Sequence, residues 1–381
     1  MFLDKIISDQ TQFFLYISFL SIFLLQMSYF WGIFSLFAFN RRKNILSQHL
    51  PVSVVICARN EYFNLEKNLP AILEQPYPDF EVIVVNDESD DDTVDLLNDM
   101  SRKYPNLFVL NTEKNNNFFS GKKFSLSLGI KSAHKEIILL TDADCCPLGP
   151  DWIEQMQAPF SNPRTNIVLG YGAYNKKKGL LNKLIKYDTV AIAMNYFSMA
   201  KAGMPYMGVG RNMAYRKSLF LKSKGFVSHY NVSSGDDDLF INQNATRKNT
   251  AIVFSHDSHT ASEPKTDFDS WVFQKKRHLT TGKYYKWWHK IILALFPLST
   301  LAFYCLGFIL LFLDFNRYTI IIVGAFVIVR LFTQLLMIKN AMIRLKERNL
   351  LLFSPFFEVF FIFFNAFMML SGSGKQQNRW K

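Results

Sequence analysis

The chain has 381 residues, with 43 Lys and Arg against 31 Asp and Glu for a formal charge of +12, and 38 Phe within an aromatic share of 16%. That aromatic load is too high for a soluble enzyme of this length, and the positive balance favours anionic partners such as phosphates and lipid surfaces. The four cysteines, Cys57, Cys145, Cys146 and Cys305, have no metal-type spacing, so they read as reduced bystanders rather than as a zinc site or disulfide framework.

The first element is apolar. Residues 13–39 contain no charged side chain, and these 27 residues exceed the roughly 20 that span a bilayer as a helix. Neither the shorter apolar core nor the small-residue cleavage site of a signal peptide is visible, so the segment reads as a retained anchor. Residues 52–56, 80–85 and 136–140 are short apolar, β-branched runs, and each ends in a polar or acidic turn. Between them, residues 64–73, 93–104 and 123–132 have helical spacing. Strands alternating with helices predict a parallel sheet buried on both faces, and such sheets bind ligands beyond the carboxyl ends of their strands. The turns at those ends are Ala58-Arg59-Asn60-Glu61, Asn86-Asp87-Glu88-Ser89 and Thr141-Asp142-Ala143-Asp144.

Three more apolar stretches follow, at 291–313, 318–338 and 350–370. Arg330 and Glu358 fall inside the last two. One ionisable side chain in hydrocarbon costs about 2.5–3.5 kcal/mol on insertion scales, so either the two pair or each lies near an interface or the bend that Pro355 permits. Arg41, Arg42 and Lys43 after the first span, with Lys339, Arg344, Lys346 and Arg348 between the last two, place residues 40–290 in the cytoplasm by the positive-inside rule. Four full crossings would put the C-terminus outside, against which stand Lys375, Arg379 and Lys381; a re-entrant last segment is the alternative. The expected organisation is an anchor over 1–45, an α/β domain over 46–285 and a membrane region of about three helices over 286–381.

The ordered motifs carry a family resemblance. Ala58-Arg59-Asn60-Glu61, Asn86-Asp87, Gly121-Lys122, Asp142-Ala143-Asp144, Gly210-Arg211-Asn212, Gly235-Asp236-Asp237 and Gln274-x-x-Arg277 together resemble inverting family 2 glycosyltransferases with a GT-A fold. The resemblance is to the membrane-integrated branch that includes cellulose, hyaluronan and poly-N-acetylglucosamine synthases and ceramide glucosyltransferases. It covers about residues 50–285.

What it implies can be set beside the plainer reading of each motif. Ala58, Asn60, Glu61 and Asp87 would hold the nucleotide, with Asn86 standing where the family has a second aspartate; otherwise these residues are good turn chemistry. Asp144 would be the more direct ligand of a divalent cation, Mg2+ or Mn2+, on the donor diphosphate, and Asp142 would contact ribose or the metal; otherwise the motif is a capped turn. An inverting transfer needs a carboxylate to take the acceptor proton, and register with the family makes Asp237 that base and Asp236 its neighbour; otherwise the triplet is a solvated helix start. Arg277 would neutralise the leaving diphosphate beside Gln274, while Lys275-Lys276-Arg277 also reads as a basic patch against anionic lipid, next to an amphipathic belt of Tyr284, Tyr285, Trp287 and Trp288. Lys122 meets a phosphate or caps a helix, and Arg211 with Asn212 lies in the loop supporting the donor sugar and acceptor. His256 and His259 form a further candidate metal pair, although surface histidines are the commoner case. His278 replaces the family's acceptor-stacking Trp, which weakens any reading of processive synthesis.

The resulting expectation is an integral protein of a bacterial inner membrane that transfers sugar from a UDP- or GDP-sugar to a lipid or saccharide acceptor, with membrane lipids but no nucleic acid as partners. The alternatives are a processive polysaccharide synthase that translocates its product, and a subunit that keeps the fold without the chemistry.

Overall fold

The computed structural model describes residues 2–40, 47–112, 121–232 and 234–371. Arg41, Arg42, Lys43, Lys375, Arg379 and Lys381, whose charges enter the orientation argument, lie outside the described residues.

Ten strands are found among the described residues: β1 (Val52–Ala58), β2 (Phe80–Asp87), β3 (Leu107–Thr112), β4 (Ile137–Leu140), β5 (Cys145–Pro147), β6 (Ile167–Leu169), β7 (Gly172–Tyr174), β8 (Met213–Arg216), β9 (Thr250–Ile252) and β10 (Thr260–Ser262). Seven form a sheet of order β3-β2-β1-β4-β8-β6-β9, and three form a second, β5-β10-β7. The expected parallel arrangement holds for β3, β2, β1 and β4, whose crossovers are the helices Tyr62–Leu73, Thr93–Lys103 and Lys122–Ser132. All seven residues of β1 are buried, as a largely apolar, Val- and Ile-rich strand between helical layers should be. The helix Lys122–Ser132 lies close on this sheet: a Cβ at Gly129 would come within 2.7 Å of Val55 and 2.8 Å of Val85.

The sheet is not parallel throughout. β8 runs antiparallel to both β4 and β6, with Met213 opposite Leu140. From β6 the chain passes through β7 and the helix Leu180–Lys201 and returns by the loop before Met213, so that β8 starts at the end where β4 finishes. That reversal brings Arg211 and Asn212 to the end of the sheet that holds Asp142, where Thr141 Oγ1 donates to Arg211 O at 3.1 Å.

Four helices are long and apolar enough to cross a membrane: Gln10–Ala38, Trp287–Leu313, Arg317–Arg344 and Leu351–Met369. The first contains a π-helical segment, Tyr29–Phe34, from which Tyr29 OH donates to Ile292 O at 2.8 Å. The membrane helices and the α/β domain share one continuous apolar core that runs from Phe34 and Phe37 through the helix Leu180–Lys201 to Val55, Met337 and Phe361. Large apolar side chains such as Phe312, Ile321 and Phe356 remain exposed on the outer faces, as lipid contact requires.

Arg330 and Glu358 pair at 2.9 Å inside this bundle. The guanidinium also donates to Tyr304 OH at 3.0 Å, Gln334 Oε1 at 3.2 Å and Thr300 Oγ1 at 3.4 Å, so three of the helices supply its partners. Of the two alternatives open for these charges, pairing is the one formed.

Candidate active site

The polar turns converge beyond the carboxyl ends of β1, β2 and β4. At the first, Asn60 has a left-handed backbone, φ 53°, which an amide side chain tolerates better than most. Its Oδ1 accepts from Asp90 N at 2.8 Å and its N–H donates to Ser89 Oγ at 2.9 Å, so the β1 and β2 turns are stitched together. Glu61 is buried; its N–H donates to Thr93 Oγ1 at 3.1 Å and its carboxylate accepts from Asn64. Ala58 is fully buried and lies in register with Asn86.

Asp87 is buried. Its Oδ1 accepts from Ser125 Oγ at 2.5 Å and Thr112 Oγ1 at 3.3 Å, while Oδ2 takes no hydrogen bond from the described residues. A buried carboxylate oxygen without a donor is costly, so this atom is an acceptor suited to the N–H or hydroxyl of a ligand. Asn86 instead spends its Nδ2 on Asn111 Oδ1 at 3.0 Å.

Lys122 joins two of the acidic motifs. Its Nζ donates to Asp142 Oδ1 at 2.8 Å and lies 3.4 Å from Asp236 Oδ2. Burial works against the ammonium charge, yet Asp142 and Asp236 hold its pKa well above the usual lysine value. Burial likewise works to raise Asp236, and Lys122, a backbone hydrogen bond and Lys123 together outweigh it, leaving that carboxyl below its usual value. Asp144 shifts the other way, raised by burial and then by Asp142, with Arg211 opposing.

The ligand atoms of Asp142, Asp144 and Cys145 all lie within 4.8 Å of one another, the one such group of three among the described residues. Two carboxylates at that spacing fit a hard divalent cation that takes its remaining ligands from phosphate and water. His256 and His259 do not join them: His259 is buried against Tyr171, and its Nε2 is 3.2 Å from Phe254 O.

Asp237 caps the short helix Asp238–Asn244. Its Oδ1 accepts from Asp238 N at 2.7 Å and its Oδ2 from Gly210 N at 2.8 Å. A Cβ at Gly210 would sit 3.4 Å from that same Oδ2, which shows how closely the Gly208–Asn212 loop approaches the carboxylate. Burial and then the neighbouring charges of Asp236 and Asp238 push the Asp237 carboxyl up to about 7, despite the two N–H donors.

The remaining motif residues divide by what they touch. Arg211 is committed to the small sheet, donating to Gly172 O at 2.9 Å, Ala173 O at 3.3 Å and Ser262 Oγ at 2.8 Å, with Tyr174 beneath it at 4.2 Å. Asn212 is equally consumed, its amide bonded to Tyr171 O, Ser258 O and Trp152 Nε1. Both brace the loop. Gln274 donates to Tyr174 OH at 3.2 Å, which sets its helix, Phe268–Leu279, beside Arg211. Arg277 is partly buried on the same helix and its buried Nε has no hydrogen-bond partner among the described residues, which suits that N–H to an acceptor such as an anion. His278 is exposed at the helix end.

Several contributors give little signal in sequence. Lys275 is not part of a surface patch: it is buried, with its Nζ 2.7 Å from both carboxylate oxygens of Asp188. Lys123 is also buried and donates to His229 O, Val232 O and Ser234 O at 2.7, 2.8 and 2.9 Å, holding the loop before Asp236. A lysine beside Gly121-Lys122 reads as solvated, and only the folded loop reveals its three acceptors.

Comparison with known proteins agrees with this fold. Residues 53–222 match the family described as Glycosyl transferase family 2. The chain is 28% identical over 192 residues to the poly-β-1,6-N-acetyl-D-glucosamine synthase of Staphylococcus epidermidis, covering 45% of this chain and 44% of that protein. It is 26% identical over 213 residues to the glycosyltransferase AglE of Haloferax volcanii, covering 54% and 64%. The chain therefore spans less than two thirds of each relative. Among solved structures, the mannosyltransferase PcManGT from Pyrobaculum calidifontis, in complex with GDP-Man and Mn2+, superposes with a TM-score of 0.54 at 17% identity, over 86% of this chain and 98% of that one. Residues 53–222 therefore carry the match to family 2 glycosyltransferases, and the α/β domain has a GT-A fold, joined to four helices long and apolar enough to span a membrane.

Proposed function

We propose that the protein is an inverting glycosyltransferase that works at a membrane face, moving a sugar from a nucleoside-diphosphate donor to a lipid or saccharide acceptor. The observation that carries this reading is the convergence of Asp142, Asp236 and Asp237 around Lys122, which sets a cation-binding motif beside a carboxylate poised near neutral pH. Such a pairing of a donor-diphosphate site with a base is what single-displacement sugar transfer needs.

Asp87, Asn60 and Glu61 meet the nucleoside, with the unpaired Asp87 Oδ2 as acceptor for a base N–H or a ribose hydroxyl. Asp142 and Asp144 would hold a divalent cation, Mg2+ or Mn2+, that neutralises the diphosphate when bound. Asp237 takes the proton of the acceptor hydroxyl as its oxygen bonds to the anomeric carbon. The bond from that carbon to the diphosphate breaks on the opposite face, and the nucleoside diphosphate leaves with the electron pair. Arg277 balances the charge that grows on it. Arg211 and Asn212 fix the loop whose Gly210 N–H holds Asp237.

The domain shares a side with the loop between the last two spans, because Glu347 pairs with Lys186 at 2.8 Å and accepts from Tyr171 OH at 3.1 Å. Lys339, Arg344, Lys346 and Arg348 lie in and beside that loop, which supports a cytoplasmic domain under the positive-inside rule. The exposed His278 offers no broad stacking surface, which favours single transfer to a membrane-held acceptor over chain extension.

The test is a donor screen by release of nucleoside diphosphate, with Mg2+ and with Mn2+, on the purified full chain and on Asp237→Asn. The expected result is one preferred donor and a loss of turnover in Asp237→Asn of two orders of magnitude or more. Turnover surviving that substitution removes Asp237 as base, and no release from any donor supports a subunit without chemistry.

A further inference from the structure

The helix Asp238–Asn244, capped by Asp237, is only seven residues long. A helix that short has little stability of its own, so its position is set by whatever it packs against. One side, Leu239, Phe240 and Ile241, enters the core. The other holds two buried polar groups, Asp238 and Asn242, four residues apart and therefore on one face.

Both are bonded to the stretch of chain that leads into the helix Trp287–Leu313, one of the candidate spans. Asp238 Oδ2 accepts from Thr281 Oγ1 and, at 2.7 Å, from Tyr285 OH. Asn242 Oδ1 accepts from Lys286 N at 3.0 Å, and Nδ2 lies 3.0 Å from His289 Nδ1 and donates to Tyr206 O, also at 3.0 Å. Thr281 and His289 are buried, and the Tyr206 ring meets Tyr285 edge-on at 5.9 Å. Tyr206 belongs to the segment leading into the Gly208–Asn212 loop, whose Gly210 N–H bonds Asp237. The seam therefore touches both supports of the Asp237 carboxylate, and an unpaired member would be left buried and unsatisfied.

We propose that Asp238 and Asn242 are positioning residues that lock the Asp237 carboxylate to the membrane-entry turn of residues 281–289, so that the base is held in place by the chain entering the bilayer and not by the sheet alone. This rests on the reading of Asp237 as base. The seam is polar because the position must be specific: hydrogen bonds between Asp238 and two hydroxyls, and between Asn242 and three partners, admit one register where an apolar contact would admit several.

The test uses the full chain in bilayer discs, with the donor identified by the screen. Substituting Thr281→Val with Tyr285→Phe removes both donors to Asp238. The expected result is a kcat about 10- to 100-fold lower, the range for a misplaced catalytic group, with donor KM and nucleoside-diphosphate affinity unchanged within about twofold. Thr281→Ser, which keeps the hydroxyl, should retain wild-type kcat. Tyr285→Phe alone, the milder change if the pair folds poorly, should lower kcat by about three- to tenfold per nucleotide-binding molecule. A wild-type kcat in the folded Thr281→Val, Tyr285→Phe protein overturns the inference, as does a loss confined to donor KM or an equal loss in Thr281→Ser. The reading beneath it fails separately, if Asp237→Asn keeps its turnover.

Discussion

The raised pKa of Asp237 makes a quantitative demand on the pH profile. A base must be deprotonated to act, so activity falls as pH drops through its pKa. With the carboxyl pushed from an ordinary 3.8 up to about 7, the proton is favoured by about 3 pH units, or about 4 kcal/mol. At pH 5.5 only about one molecule in thirty would have Asp237 ionised, whereas an unperturbed aspartate would be almost wholly ionised. The acidic limb of kcat/KM should therefore lie near pH 7, where it reports the free enzyme.

The perturbation that tests the cause is Asp238→Asn. Burial acts first on Asp237, then the charge of Asp236, then that of Asp238. Removing the third charge while leaving an acceptor oxygen for Thr281 or Tyr285 should move the limb from about pH 7 to about pH 6, the order expected for one partly screened carboxylate at close range. The assay is initial-rate nucleoside-diphosphate release from pH 5 to 9 at saturating metal. A wild-type limb near pH 4, or a limb that stays put in Asp238→Asn, would refute the electrostatic reasoning. The same linkage bears on stability with the opposite sense: the folded state holds this proton more tightly than the unfolded chain, so the stabilising contribution is complete below about pH 4 and is lost as pH rises through about 7.

Other consequences are equally concrete. Glu358→Leu should cost about 3–5 kcal/mol by leaving Arg330 unpaired, and Arg330→Met with Glu358→Leu should recover most of it; thermal unfolding in detergent gives the cycle. Lys123→Met strips the donor from three carbonyls of the loop before Asp236 and should cost about 3 kcal/mol in denaturant unfolding, with a lowered kcat. Asp144→Asn should weaken Mn2+ binding by at least tenfold, measured by loss of the free-ion spin signal during titration, and chelator should abolish turnover in the wild type.

How much of this was legible depended on whether the signal was local. β1, β2 and β4 announce themselves because runs buried on both faces are mostly apolar, broken only by Ser53 in β1 and by Glu81 and the terminal Asn86-Asp87 in β2, and the turns that end them hold the candidate site residues. The small sheet does not: its strands are three residues each, and β5, β7 and β10 come from distant parts of the chain. The reversal of β8 was hidden for a related reason, since a strand's direction depends on how the chain arrives. Arg330 and Glu358 were readable as a pair because a charge in hydrocarbon needs a partner. Lys275 was misread as surface because nothing in Gln274-Lys275-Lys276-Arg277 distinguishes the lysine that turns inward to Asp188 from the one that does not.

The site has two halves that rest on different foundations, and this gives a last prediction. Asp87, Asp142 and Lys122 stand on β2, on the turn after β4 and on the helix laid over β1 and β2, all in or against the main sheet. Arg277 and Asp237 stand on helices tied to the membrane elements. The helix of Arg277 stacks Trp271 on Phe364 of the last span, with ring centroids 5.1 Å apart and planes 9° from parallel, and the helix of Asp237 is bonded to the membrane-entry turn. Changing the surroundings of the spans should therefore move the second half against the first. Reconstitution into bilayers of increasing hydrocarbon thickness should change kcat severalfold, because span tilt adjusts to thickness and the two helices follow it, while nucleoside-diphosphate affinity stays within about twofold. Paired titration calorimetry and initial-rate measurements across such a series check it. If affinity and kcat change together, the two halves move as one body; if neither changes, the membrane contacts are inert supports.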